Sequence, residues 1–237
     1  LPVPAWVGYE PLFNLYDKKY IPVKLKETNN YKLTPSELDA ILNKLKTPAI
    51  LILNNPHNPT GAVYSFDELS ALKEILSIYD AMVIADEIYG LLTHEGTSFT
   101  SMSQIYAERT FATSGLSKDR SAAGYRLGVC ILPTQETLKI NHIYHAIIAN
   151  TFTNITTPIQ YAAIDGYKPS HELTKYIKTT RAIHTIAGKI MFEVASKIED
   201  AIISKPHGGF YLTVDLNAYK KWFNQHGIFK TQTLTEK

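Results

Sequence analysis

Lys118 lies in a run of small and polar residues, Gly115-Leu116-Ser117-Lys118-Asp119-Arg120-Ser121-Ala122-Ala123-Gly124, set between two short apolar or β-branched stretches at residues 110–113 and 126–132. A lysine at the end of a strand is most often a solvated charge. Here Ser117 places a hydroxyl beside the amine, Gly115 and Gly124 bracket the loop, and Arg126 follows eight residues after Lys118, at the predicted start of the second strand. The segment reads as a loop that presents two cations to one ligand.

An arginine suits a phosphate because its planar fork of donors engages two oxygens at once. A lysine amine held near a phosphate-bearing aldehyde is the constellation for a Schiff base to pyridoxal phosphate. Upstream, Asp86 follows five apolar residues, Ala81-Met82-Val83-Ile84-Ala85. It reads either as a loop or capping carboxylate or as the anion that keeps a pyridine nitrogen protonated. A ring so protonated is the electron sink for a carbanion at an amino acid's Cα. Tyr89 and Asn58 could donate to the ring's 3-oxygen, although most of the fifteen tyrosines must serve packing. Trp6, one of two tryptophans, reads as core or as a ring stacked on the cofactor. His57 and His207 have no second ligand at a metal-binding spacing, so no metal site is expected.

The elements that position these residues follow from periodicity and punctuation. Residues 49–53 and 81–85 are continuous apolar runs, suited to strands covered on both faces of a parallel sheet. Between them Ser65-Phe66-Asp67-Glu68 opens a helix as a capping box, predicted to reach Tyr79, as Thr34-Pro35-Ser36-Glu37 opens another reaching Leu45. Strand, helix, strand at this spacing is a right-handed βαβ unit, and such sheets bind ligands at the carboxyl ends of their strands. Asn58, Asp86 and Lys118 come at three successive strand ends. The sequence further predicts a helix at 9–16, a strand at 20–25, helix over 142–168, a long amphipathic helix from His171 to about Ile203 that bridges two domains, a strand at 210–216 and a terminal helix from Asn217.

The chain has 237 residues and a net charge of +2, which gives no basic excess for nucleic acid and no acidic tail. With 45% hydrophobic residues it can bury a sizeable core. Cys130 is the single cysteine, which excludes an intrachain disulfide and fits a reducing compartment, the cytoplasm by default. No apolar run approaches a membrane span. The opening Leu1-Pro2-Val3-Pro4 lacks an initiator methionine and leads straight into an apolar pattern, so the chain reads as an internal fragment of a longer one.

Three motifs in order, NNPHNPTG, DEIYG and SGLSKDRSAAGYRLG, resemble the class I and II aminotransferases, the fold-type I enzymes dependent on pyridoxal phosphate. From Asn58 to Asp86 is 28 residues and from Asp86 to Lys118 is 32. The resemblance implies an α/β fold, a mostly parallel sheet covered by helices, with residues 1–169 in a cofactor-binding large domain. Residues 170–237 would form the bridging helix and part of a small α+β domain. It implies pyridoxal 5'-phosphate as cofactor, Lys118 as Schiff-base lysine and proton shuttle, and Asp86 as partner of the pyridine nitrogen. Asn58 and Tyr89 would serve the 3-oxygen, Ser117 and Arg126 the phosphate, and Trp6 the ring face.

The implied reaction moves an amino group between an amino acid and a 2-oxo acid in a homodimer, with wording closest to alanine-type or broad-range transaminases. A β-eliminating C–S lyase and a catalytically silent sensor module are the alternatives. Three features depart from the family pattern. Gly115 stands where many relatives carry a hydroxyl three positions before the lysine. The small-residue phosphate loop would precede Trp6. The arginine that grips the substrate carboxylate would lie beyond the Gly-Gly-Phe-Tyr strand, past Lys237.

Overall fold

The computed structural model describes residues 1–45, 48–134 and 137–226. The chain begins with β1 (Pro2–Val3), α1 (Tyr9–Leu15) and β2 (Val23–Lys24), and β1 pairs in parallel with β2. The strand predicted at 20–25 is thus only two residues long. Helix α2 (Pro35–Leu42) starts where its capping box requires: Thr34 Oγ1 accepts from the Glu37 N–H and the Glu37 carboxylate accepts from the Thr34 N–H. Cap residues of this kind contribute about 1 kcal/mol each.

The central sheet follows. Strands β3 (Ile50–Asn54) and β4 (Met82–Asp86) are joined through α3 (Phe66–Ile78), whose Ser65/Glu68 capping box is also formed. After α4 (Met102–Ile105) come β5 (Thr110–Gly115) and β6 (Gly128–Ile131). The order is β3-β4-β5-β6, parallel except for β6, which runs antiparallel to β5. Leu69, Leu72 and Leu76 of α3 repeat at three and four residues and are fully buried against Leu51, Leu53, Val83 and Ala85 of the strands. Each such leucine contributes about 1.5–3 kcal/mol of burial free energy. The α3 stripe therefore fixes how β3 and β4 lie together.

Register turns this packing into a site. Asn54 lies opposite Asp86, and Asp86 opposite Thr113, so the three parallel strands end in one row. The ends are also tied to each other: Asn54 Nδ2 donates to the Asp86 carbonyl at 2.8 Å, and the Glu87 N–H to the Thr113 carbonyl at 2.8 Å.

Several expectations change beyond the sheet. The helix predicted over 142–168 is two helices, α5 (Thr137–Thr151) and α6 (Thr157–Tyr167). Thr153 takes a left-handed conformation between them, and Pro158, which has no N–H to give to a preceding turn, opens α6. The amphipathic helix capped by Ser170 is α7 (His171–Ala195), shorter than the predicted span to Ile203. The strand expected at 210–216 reduces to β8 (Val214–Asp215), paired with β7 (Ile202–Ile203). Preceding backbone groups bond to loops instead: His207 N–H to the Gly61 carbonyl at 2.7 Å and Gly209 N–H to the Leu92 carbonyl at 2.9 Å. The last helix among the described residues, α8 (Lys220–Gln225), follows a short 3-10 turn that starts at Asn217. No helix among the described residues is long and apolar enough to cross a membrane.

Candidate active site

Beyond the aligned ends of β3, β4 and β5 opens a cavity of about 310 Å³. Trp6, Asn58, Asp86, Tyr89, Ser117, Lys118 and Arg126, the seven residues singled out in the sequence, all line it, together with Asn54, Ser114, Thr113 and Tyr211. A larger hollow of about 1400 Å³ lies between β6, α5 and α6. Its walls are mostly apolar, with Ile148, Phe152, Ile159 and Ala163 among them, and Arg126, Tyr144, His145 and Gln160 are among its polar side chains.

Asp86 lines the smaller cavity from the end of β4, an interior strand of the sheet. Its Oδ2 accepts a hydrogen bond of 2.5 Å from the Tyr9 hydroxyl, and its Oδ1 a longer one, 3.4 Å, from the Ile88 N–H. Burial, and then the Asp86 charge, push the Tyr9 phenol far above the ordinary tyrosine range, so it remains a donor. The Trp6 ring meets Tyr9 edge to face at 5.4 Å. Tyr9 was missed in the sequence. The available signal was its three-residue offset from Trp6, which places both side chains on one side of the turn into α1.

Asn54 was missed as well, because a polar residue at the end of an apolar strand reads as the start of a loop. Besides bonding the Asp86 carbonyl, its Oδ1 accepts the Asn58 N–H at 2.6 Å. One side chain thus sets Asn58 against the end of β4. His57 braces the same loop: its Nδ1 lies 2.7 Å from Thr60 Oγ1 and its ring also bonds the Pro4 carbonyl. Burial pushes the imidazole down to about 4, so it is neutral at pH 7. Among the described residues no group of three or more His, Cys, Asp or Glu is placed to hold a metal ion.

Tyr89 is buried, and its hydroxyl donates to Tyr211 Oη at 3.3 Å while the Asn58 amide reaches the same phenol. Burial first, then the bond to Tyr211, raise this phenol. Rings of Tyr89, Phe210 and Tyr211 pack mutually with centroids 4.7–5.8 Å apart. Lys118 Nζ lies 5.8 Å from the Phe210 ring centre, a cation–π contact, and among the described residues no carboxylate pairs with it. Of the Gly-Gly-Phe-Tyr segment, Tyr211 lines the cavity and Phe210 stands beside Lys118.

Arg126 is not held by the start of a strand, as the sequence suggested; β6 begins two residues later. It caps a 3-10 turn, Ala123–Tyr125, in a left-handed conformation, and its guanidinium donates to the Ala123 carbonyl at 2.9 Å. Gly115 pairs with Gly128 across β5 and β6, and a Cβ there would come within 2.8 Å of the Leu127 carbonyl oxygen. The close strands exclude a hydroxyl side chain at 115. Ser114, its neighbour on the cavity wall, supplies one.

Residues 1–236 match the family model for aminotransferase class I and II. The chain belongs to that family. It is 32% identical over 218 residues to an aspartate aminotransferase of Bacillus subtilis and 30% identical over 217 residues to an asparagine–oxo-acid transaminase of Streptococcus mutans. These alignments cover 90% and 89% of this aminotransferase-family chain and 52% of each relative. The chain therefore spans about half the length of the curated relatives it matches. Among solved structures it superposes on the aromatic aminotransferase of Pyrococcus horikoshii with a TM-score of 0.77 at 28% identity, over 89% of this chain and 55% of that one. An aspartate aminotransferase of Thermus thermophilus shares the fold at a TM-score of 0.79 and 23% identity, over 91% of this chain and 57% of the other.

Proposed function

We propose that the protein containing this chain is a transaminase, moving an amino group between an amino acid and a 2-oxo acid. In this reading pyridoxal 5'-phosphate occupies the cavity of about 310 Å³, and Lys118 is the lysine that bonds to its aldehyde. The observation that carries the proposal is the donor set of that cavity. An amine (Lys118), a carboxylate (Asp86), two donors (Asn58, Tyr89), a guanidinium (Arg126) and two serine hydroxyls (Ser114, Ser117) converge there. They match in kind an aldehyde, a ring nitrogen, a phenolic oxygen and a phosphate.

The bound cofactor would supply an electron sink for the carbanion formed at the substrate's Cα. Asp86 would hold the proton on the ring nitrogen, because an adjacent anion favours the charged form. Tyr89 and Asn58 would donate to the 3-oxygen, and Trp6 would cover one ring face. Ser117, Ser114 and the free donors of Arg126 would take the phosphate. Lys118 Nζ is the group to take and return the substrate's Cα proton. Phe210 limits where that amine can swing, since its ring stands beside it.

We further assign residues 1–169 to a cofactor-binding large domain and 170–237 to a bridging helix and part of a small domain. A homodimer in the cytoplasm completes the proposal, in line with the family and with a single cysteine.

Titrating the full-length protein with pyridoxal phosphate tests it. A long-wavelength absorption band and a borohydride-fixed adduct on Lys118 are expected, both absent in Lys118→Ala. A variant that keeps band and adduct would sink the assignment. Release of pyruvate and ammonia without a 2-oxo acid acceptor would replace transfer by elimination.

A further inference from the structure

We infer that Arg120 is a positioning residue for Lys118: its guanidinium pins the turn that carries the lysine to the C-terminal end of α6. This inference rests on the reading of Lys118 as the lysine that bonds the cofactor's aldehyde. Just past the end of β5, Lys118 sits in a turn closed by the Ser121 N–H on the Lys118 carbonyl at 3.3 Å. That bond is longer than most of its kind and holds the turn loosely. The ties to the rest of the fold come from the residues on either side. Before the lysine, Leu116 is buried against Ala163 of α6, and a Cβ on Gly166 would stand 3.5 Å from the Leu116 methyl carbons. After it, Arg120 Nε donates to the Gly166 carbonyl at 3.1 Å, and the guanidinium lies 5.3 Å from the Tyr167 ring centre. Ser121 Oγ then accepts the Tyr176 hydroxyl of α7 at 2.8 Å.

The last carbonyls of a helix have no partner within it and favour a cation nearby. No basic residue stands in the last turn of α6, so Arg120 supplies that cation from the lysine's turn. Asp119 holds the guanidinium from the other side. Its buried carboxylate accepts Arg120 Nη1 at 2.5 Å, and the planar fork is thereby fixed between Asp119 and Gly166. Asp119 is the one acidic residue between positions 109 and 134, and it directly follows Lys118 in the chain. Any shift of the pair is therefore passed to the backbone that carries the amine.

Pyridoxal phosphate and pyridoxamine phosphate separate the place of the amine from the shape of the cavity. Both present a ring and a phosphate, but only the first has an aldehyde for Lys118 Nζ to bond, with loss of water. The test compares the Kd of each for the cofactor-free full-length protein in wild type and Arg120→Met, pyridoxal phosphate by its long-wavelength band and pyridoxamine phosphate by calorimetry. Methionine keeps an apolar stem beside Tyr167 and removes the donors. In Arg120→Met the Kd of pyridoxal phosphate should rise by roughly 10- to 100-fold, the scale of a reacting group misplaced by about 1 Å. The Kd of pyridoxamine phosphate should stay as in the wild type. An equal loss for both ligands marks damage to the cavity, and no loss for either marks an amine that needs no pin; each overturns the inference. If Arg120→Met does not fold, Arg120→Met with Asp119→Asn, which leaves no buried carboxylate unpaired, is read by the same outcomes. Absence of any band in the wild type would instead overturn the cofactor reading itself, so the two failures are distinguishable.

Discussion

At the residue scale the site depends on polar side chains held by partners far away in sequence. Asn54 bonds the Asp86 carbonyl and the Asn58 N–H together, and Asn54→Ala removes both bonds, although the Asp86 carbonyl still accepts the Asn55 N–H at 3.0 Å. Leaving the Asn58 N–H without its acceptor costs about 1–3 kcal/mol, and urea unfolding should show this as a lower midpoint at unchanged slope. Glu87, next to Asp86, accepts the Met102 N–H at 2.7 Å, and burial pushes its carboxyl up to about 7. A carboxyl whose folded value lies above its unfolded 4.5 contributes stability that is complete below 4.5 and lost as pH rises through 7. The difference amounts to about 3 kcal/mol. His57, held down to about 4, slopes the other way: its contribution is complete above 6.5 and lost as pH falls through 4. The two offset each other in the wild type. Glu87→Gln, which keeps an acceptor for Met102, should therefore gain on the wild type between pH 5 and 7.5, read as the difference in unfolding free energy at each pH. An equal offset at both pH values would refute the buried-carboxyl account. These residues also mark where sequence reading stopped. Strand ends could be found from apolar runs, but the bonds of Tyr9 and Asn54 to Asp86 join residues 77 and 32 apart in the chain.

At the element scale, the βαβ unit and both capping boxes were legible because each has a local cause: an apolar run, a hydroxyl with a carboxylate three residues on, a proline at the first turn. The 210–216 segment was not, because the residues just before it bond to the Gly61 and Leu92 carbonyls and only Val214 and Asp215 find a strand partner. Helix α7 gives a sharper case. Arg181 donates to the Thr93 and Thr97 carbonyls at 2.7 and 3.2 Å, docking α7 on the loop that follows Tyr89. One turn pair further along, Gly188 faces His94, and a Cβ there would fall 2.6 Å from His94 Cε1. Propensity alone favours alanine over glycine inside a helix by about 1 kcal/mol. Overpacking against a buried ring costs typically 1–3 kcal/mol, and it should win. Gly188→Ala should lower the melting temperature, whereas a rise would show that the ring moves aside freely.

At the scale of the whole molecule, one face is built like an interior and left uncovered. On β6, Val129 and Ile131 are exposed, and Val129 lines a hollow of about 1400 Å³ whose walls after α5 and on α6 carry the exposed Phe152, Ile164 and Tyr167. Soluble monomers rarely bare contiguous apolar patches beyond a few hundred Å². β6 adds a further drive, since among the described residues its pairing is recorded on the β5 side alone, and an edge strand with apolar side chains offers its free N–H and C=O groups to another chain. The charge of +2 over 237 residues provides little repulsion to oppose contact. The 237-residue chain by itself should therefore bind a dye that reports apolar surface, and its sedimentation coefficient should rise with concentration. Phe152→Lys with Ile164→Lys places two charges on this face, away from the Lys118 cavity. That pair should reduce both signals and leave thermal unfolding nearly unchanged, because exposed side chains carry little of the core energy. If the doubly substituted chain associates as before, the drive lies at the β6 edge, and a lysine at Ile131 should then suppress it.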